Sequence, residues 1–248
     1  MRILAVDTSC KAVSVAIVTD GGISAKLWFE HGKTHSQTLM PAIDTVLTAL
    51  GVKAADIDCF AAVTGPGSFT GLRIGIATVQ MLALAGGVQT VGVSTLDALA
   101  YNLKNYGDCI LCPMIDARND QVFTAVYRLK NRQSIMVMAP TVLHIQELAD
   151  KLTFYQRQYQ SADAKQADTL QIVLNGDAAQ KHLQFFLDYF VDGSCYSADE
   201  RDLYQDAVSA AMIAYEYAMQ GKLTKPEELI PDYLRESGAK RLLMENQS

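Results

Sequence analysis

Two aspartates in matching surroundings are the first candidates for chemistry. Asp7 closes an apolar run at 3–6 and stands six residues before Val13, where a second apolar run begins; Asp116 closes the run 109–115 and stands six residues before Val122. Carboxylates placed this way could hold a magnesium ion or its waters for phosphoryl transfer. Each could equally just begin a turn, and the residues leave both readings open. Between them lies Thr64-Gly65-Pro66-Gly67-Ser68-Phe69-Thr70-Gly71-Leu72-Arg73-Ile74-Gly75. A glycine loop opening a helix is a potential anion site, with Ser68 or Thr70 as cap. No Gly-Lys-Ser/Thr follows, so it is not a Walker A loop. Gly67, Gly71 and Gly75 recur every four residues, which suits close backbone packing more than anion binding. His31 and His35 have the spacing of a helical metal pair, but no carboxylate follows at a useful distance, and a loop leading into a helix start is the better reading. Cys109 and Cys112 have redox spacing inside an apolar run without a helix N-terminus to activate a thiol, so they read as buried and reduced. Asn175-Gly176-Asp177 is a turn into a helix that could meet a nucleotide. No nucleophile–histidine–acid set has a local signature.

The elements that must position these residues follow from periodicity. Strands are predicted at 3–6, 13–18 and 23–29, with Asp20-Gly21-Gly22 as a hairpin turn. A helix spans 35–50, stopped by Gly51, with Pro41 in its first turns or kinking it. A strand at 60–63, a helix at 70–85 stopped by Gly86-Gly87, a strand at 90–93 and a helix at 95–105 complete one half. The second half restarts with strands at 109–115, 122–129 and 135–142. A helix at 145–152, a polar loop at 156–169, a strand at 172–174 and helices at 178–190 and 207–219 follow. Strand, aspartate, polar turn, strand thus occurs twice, about one domain apart, as an internal duplication. The chain reads as α/β with two lobes of mixed sheet and helices, divided at 1–104 and 105–248. Actin-like phosphotransferases grip phosphates with such a duplicated hairpin, an analogy of fold alone.

The helix at 70–85 is apolar nearly all round. From Gly71 to Gly87 the polar residues are Arg73, Thr78 and Gln80. Such a helix must be covered on more than one side. Leu72, Ile76, Val79 and Ala83 suffice for a sheet. The face of Arg73, Ala77, Gln80, Met81 and Leu84 is therefore expected to meet another chain, together with Leu39, Met40, Ile43 and Leu47 of the preceding helix.

Composition narrows the function classes. The chain has 248 residues, 50% apolar and 19% charged, enough to bury a core. Lys plus Arg number 21 against 27 Asp plus Glu, a formal net charge of −6. Without a basic face the chain is not expected to hold nucleic acid alone. Five scattered cysteines suggest reduced thiols and a cytoplasmic protein. The N-terminus reaches Asp7 too early for a signal peptide, and no membrane partner is expected.

Several segments carry a resemblance. LAVDTS (4–9), HSQTLMP (35–41), TGPGSFTGLRIGIA (64–77), GVSTLDALA (92–100), IDARNDQVF (115–123) and PDYLR (231–235) closely resemble the TsaB (YeaZ) family. That family is the bacterial partner subunit in making the threonylcarbamoyladenosine of tRNA. Residues 130–205 match only in pattern. The resemblance implies a duplicated actin-like (ASKHA, ribonuclease H-like) fold and a non-catalytic scaffold that supports the catalytic paralogue TsaD. TsaD carries a metal-binding histidine pair where this chain reads Ser94-Thr95-Leu96-Asp97-Ala98-Leu99, so neither a metal site nor catalytic residues are expected here. The implied partners are a TsaD-like subunit, a TsaE-like ATPase and tRNA through the complex, with a homodimer when the chain is alone. ATP or ADP and a metal would come from the partners. Candidate phosphate contacts are Asp7, Ser9, Lys11, Asp116 and Gly176, although the first loop lacks the glycine usual in actin-like kinases. A small-molecule kinase of the pantothenate-kinase-like kind is the alternative function, and a metallopeptidase comes third.

Overall fold

In the computed structural model of the chain, residues 1–30, 32, 34–160 and 169–234 are described. His31 of the histidine pair, most of the polar loop 156–169 and Arg235 of the last motif lie outside them.

The duplication is present in the strand order. β1 (Arg2–Asp7), β2 (Val13–Thr19) and β3 (Gly22–Phe29) form an antiparallel meander, and β4 (Cys59–Gly65) and β5 (Gln89–Ser94) extend it in parallel beside β1. β6 (Cys109–Asp116), β7 (Gln121–Lys130) and β8 (Gln133–His144) repeat the meander. β9 (Gln171–Asn175) and β10 (Cys195–Ser197) repeat the parallel extension. Each sheet has its first strand at the centre, so β1 and β6 are buried runs rather than alternating ones. The fold is the duplicated actin-like (ASKHA) fold, α/β with two lobes.

Strand alternation divides the first core in two. Leu4 and Val6 face α1 (His35–Leu50) and α2 (Phe69–Gly86), while Ile3 and Ala5 face α7 (Ala207–Met219). α7 thus returns from the end of the second half to cover the first sheet. Ser14 Oγ accepts the Ala207 amide at 2.9 Å where α7 begins, and Asp206 caps it through Val208 N. Conversely α3 (Thr95–Asn102), from the first half, sets Leu96 and Leu99 against Leu111 and Tyr127 of the second sheet. The other face of that sheet packs on α4 (Ile145–Tyr159) and α5 (Asp177–Tyr189). The two halves therefore exchange helices across their boundary.

Local chemistry explains the ends. Gly51 and Gly87 terminate α1 and α2 in the left-handed conformation, at φ 65 in both cases. Pro41 sits inside α1. α4 runs to Tyr159, past the expected end at 152, because Gln156 is turned inward to donate to the Leu170 carbonyl at 2.7 Å. Cys109 and Cys112 lie on opposite faces of β6, one in each core cluster, and both are free thiols.

Candidate functional site

The glycines of α2 lie against the loop after β1. A Cβ on Gly71 would come within 2.0 Å of the Thr8 carbonyl oxygen, one on Gly75 within 2.4 Å of Thr8 Oγ1, and one on Gly67 within 2.6 Å of the Ser9 carbonyl oxygen. Close packing is thus what the four-residue glycine spacing serves. Ser68 caps α2 by accepting from Gly71 N, and its own amide donates to Ser9 O at 2.7 Å.

Both aspartates begin turns in the same way. Asp7 Oδ1 accepts from Ser9 N and Asp116 Oδ1 from Arg118 N, each two residues on. Their surroundings differ. Asp7 is fully buried beneath the α2 contact, and burial pushes its carboxyl above the usual range despite the Ser9 hydrogen bonds; Asp206 adds repulsion. Its Oδ2 has no partner among the described residues. For Asp116, burial pushes upward, but the Lys181 ammonium at 2.9 Å and the Arg118 amide outweigh it and hold the carboxyl below its ordinary value.

A cleft of about 1000 Å³ opens between the lobes, lined by Lys11, Asp116, Arg118, His35 and the start of α2. Of the expected phosphate contacts, Lys11 and Asp116 reach it. Ser9 touches its wall, but its amide and hydroxyl both donate to Asp7. Asp7 lies sealed behind Ser9. The Gly176 amide donates to Leu203 O at 2.6 Å, and its α-carbon packs on Met114, so its backbone is engaged in a close-packed turn and its amide is not free to meet a phosphate.

The helical face needs correction. Leu39, Ile43 and Leu47 are buried against the sheet and α2, because the apolar stripe of α1 is spent on the core. Gln80 is half-buried and donates to Pro226 O and Leu229 O, at 2.9 and 3.0 Å. Arg73 stays exposed but donates to Tyr233 Oη at 2.9 Å, while Phe69 stacks on the Tyr233 ring. Asp232 N donates to Thr64 O. The 226–233 segment is thus strapped to one flank of α2, a role the sequence did not reveal. What remains open is Met40 of α1 with Ala77, Met81 and Leu84 of α2; Met81 and Leu84 are 69% and 58% exposed. α2 is long and apolar enough to cross a membrane by length and composition, but its packing on the sheet and this open face account for its apolarity.

Comparison with known proteins decides the family. A family model described as "TsaD: tRNA N6-adenosine threonylcarbamoyltransferase" matches residues 21–242. Relatives named tRNA threonylcarbamoyladenosine biosynthesis protein TsaB are 38% identical over 152 residues in Escherichia coli and 34% over 131 in Bacillus subtilis. The chain belongs to the TsaD family, on its TsaB (YeaZ) branch. Those alignments cover 58% and 53% of this chain and 65% and 57% of the relatives, so the chain spans less than two thirds of the curated TsaB proteins it matches. The solved structure of YeaZ from Pseudomonas aeruginosa superposes with a TM-score of 0.71 at 25% identity, over 94% of this chain and 99% of that one. Component A of the (R)-2-hydroxyglutaryl-CoA dehydratase of Acidaminococcus fermentans, at 14% identity and a TM-score of 0.50 over 88% of this chain and 99% of that one, is similar in fold alone.

The TsaB-type chain does not offer a metal the donor set that the TsaD resemblance implies. Where that set would stand, Ser94 Oγ accepts from Asp97 N as the cap of α3, and the Asp97 carboxylate accepts from Tyr127 Oη at 2.6 Å. Among the described residues no three His, Cys, Asp or Glu side chains converge. Metal binding does not fit these residues.

Proposed function

We propose that the chain is a non-catalytic, activating subunit of the assembly that makes threonylcarbamoyladenosine at adenosine 37 of tRNA, binding and supporting a TsaD-like catalytic subunit. The observation that carries this reading is the open apolar face of Met40, Ala77, Met81 and Leu84, on helices whose inward sides already complete a core. Such a face needs cover, and two helices presenting it suit a helical bundle with a paralogue of the same fold. When the chain is alone, a second copy takes that place. A TsaE-like ATPase completes the assembly, which works in the cytoplasm. ATP or ADP and the metal are supplied by the partners, and tRNA is held through the complex, in keeping with the net charge of −6. A kinase reading would need Asp7 at the cleft, and Asp7 is sealed from it.

Reconstitution tests this. The chain, a TsaD-like protein, a TsaE-like protein and a source of the threonylcarbamoyl adenylate are combined with unmodified tRNA, and the modified nucleoside is measured by mass spectrometry. Modification is expected only when the chain and its partners are all present. Sustained modification or ATP hydrolysis by the chain alone, lost on Asp7→Ala, would overturn the proposal.

A further inference from the structure

A second cavity, of about 760 Å³, lies between β3 and the segment that joins β10 to α7, which includes the short helix α6 (Glu200–Leu203). Its size is that of a small-molecule site. Trp28 on β3 is 41% exposed there, with its indole fixed by a hydrogen bond from Nε1 to Gln205 O at 3.1 Å. Tyr204 is held in the same wall by its hydroxyl on Gln180. Gln205 belongs to this wall too. It is 1% exposed, and neither its Nε2 nor its Oε1 has a partner among the described residues.

A buried amide with donor and acceptor both unpaired is costly to keep that way. The terminal torsion of a glutamine is soft, so the amide can turn to pair with a ligand that reaches it from the cavity. The ligand that relieves them offers an acceptor and a donor side by side on a planar ring that can also stack on indole. An adenine edge does this, and a side-chain amide reads it with two bonds. Asp199 and Glu200, exposed on the rim, are acceptors suited to ribose hydroxyls. The rim does not favour phosphates. Lys26 is committed to Asp206 at 2.9 Å and Arg201 to Asp202 at 3.2 Å, leaving the two rim carboxylates unopposed. We propose that this cavity, formed by Trp28, Tyr204 and Gln205, binds a purine nucleoside and prefers it to the triphosphate. This inference does not rest on the function proposed above.

Trp28 is the single tryptophan of the chain, so intrinsic fluorescence reports the site directly. Adenosine titrated into the full chain is expected to quench it saturably. Uridine and ATP are expected to bind at least about threefold more weakly. Gln205→Leu is expected to weaken adenosine about tenfold or more, the loss of one to two hydrogen bonds, at an unchanged circular-dichroism spectrum. If Gln205→Leu does not fold, Glu200→Ala on the exposed rim is read instead and must also weaken adenosine. Absence of saturable quenching up to millimolar adenosine overturns the proposal. So does affinity unchanged in whichever variant is read, or affinity lost on Arg118→Ala in the interlobe cleft instead.

Discussion

The Thr8 hydroxyl donates to the carbonyl oxygen of Gly71 at 2.7 Å, joining the loop after the first strand to the first turn of α2. The contact leaves no room for a side chain, since a Cβ on Gly71 would stand 2.0 Å from the Thr8 carbonyl oxygen. Gly71→Ala is therefore expected to destabilise the fold by about 1–3 kcal/mol, the usual cost of overpacking. Gly107, with nothing near its α-carbon, is the control: Gly107→Ala should stay within about 0.5 kcal/mol. Urea unfolding of both variants decides it.

The proposed interface separates neighbouring positions on paired helices. Ala77 is exposed and Ile43 is buried. Ala77→Glu is expected to leave a folded monomer and to abolish both self-association and capture of the TsaD-like partner. A charge buried unpaired there costs about 3–5 kcal/mol, by analogy with a broken buried ion pair. Ile43→Glu should instead unfold the chain. Light scattering after size exclusion, beside circular dichroism, reads both. Intact association of Ala77→Glu would place the interface elsewhere.

Burial raises the carboxyl of Asp7 above its unfolded value of 3.8. The folded state then binds this proton more tightly than the unfolded state does. Asp7 therefore lowers stability as pH rises from the unfolded value through the raised folded one, and the deficit persists above it. Asp7→Asn, which keeps an acceptor for Ser9, is expected to be more stable than the parent at neutral pH, with the difference shrinking in acid. A gap that widens in acid would contradict the sign.

Burial pushes the thiols of Cys10, Cys59, Cys109 and Cys112 up to about 12. At pH 8 roughly one in ten thousand of each is thiolate, so alkylation of the native chain should be slow. All five thiols should react at once after unfolding. Because Cys109 and Cys112 face opposite sides of β6, mild oxidation should not link them. A Cys109–Cys112 disulfide found by peptide mapping of the folded protein would count against this.

Much of the architecture was legible because periodicity and stop signals are local. α1 and α7 run over the residues their apolar spacing indicated, and Gly51 and Gly87 end α1 and α2. The short β10 and α6 were not legible, since three or four residues carry no period and are held by neighbours such as Ile172 beside Cys195. Leu39, Ile43 and Leu47 were misassigned because an apolar stripe does not say which of two available surfaces it meets. The strap at 226–233 and the cavity beside Gln205 depend on contacts between residues more than a hundred positions apart, as in Arg73 with Tyr233 and Trp28 with Gln205. No local signal encodes such pairings.

The return of α7 to the first sheet sets a timetable for synthesis. The ribosome delivers β1 to β5 long before Ala207–Met219, so one face of the earliest sheet, with Ile3, Ala5, Val91 and Val93, waits uncovered while more than a hundred further residues are made. At about 5–20 residues per second that is roughly 6–20 seconds of exposed apolar surface on a nascent chain. The first lobe is thus the first to be started and the last to be finished, and it depends on whatever shields it in the interval.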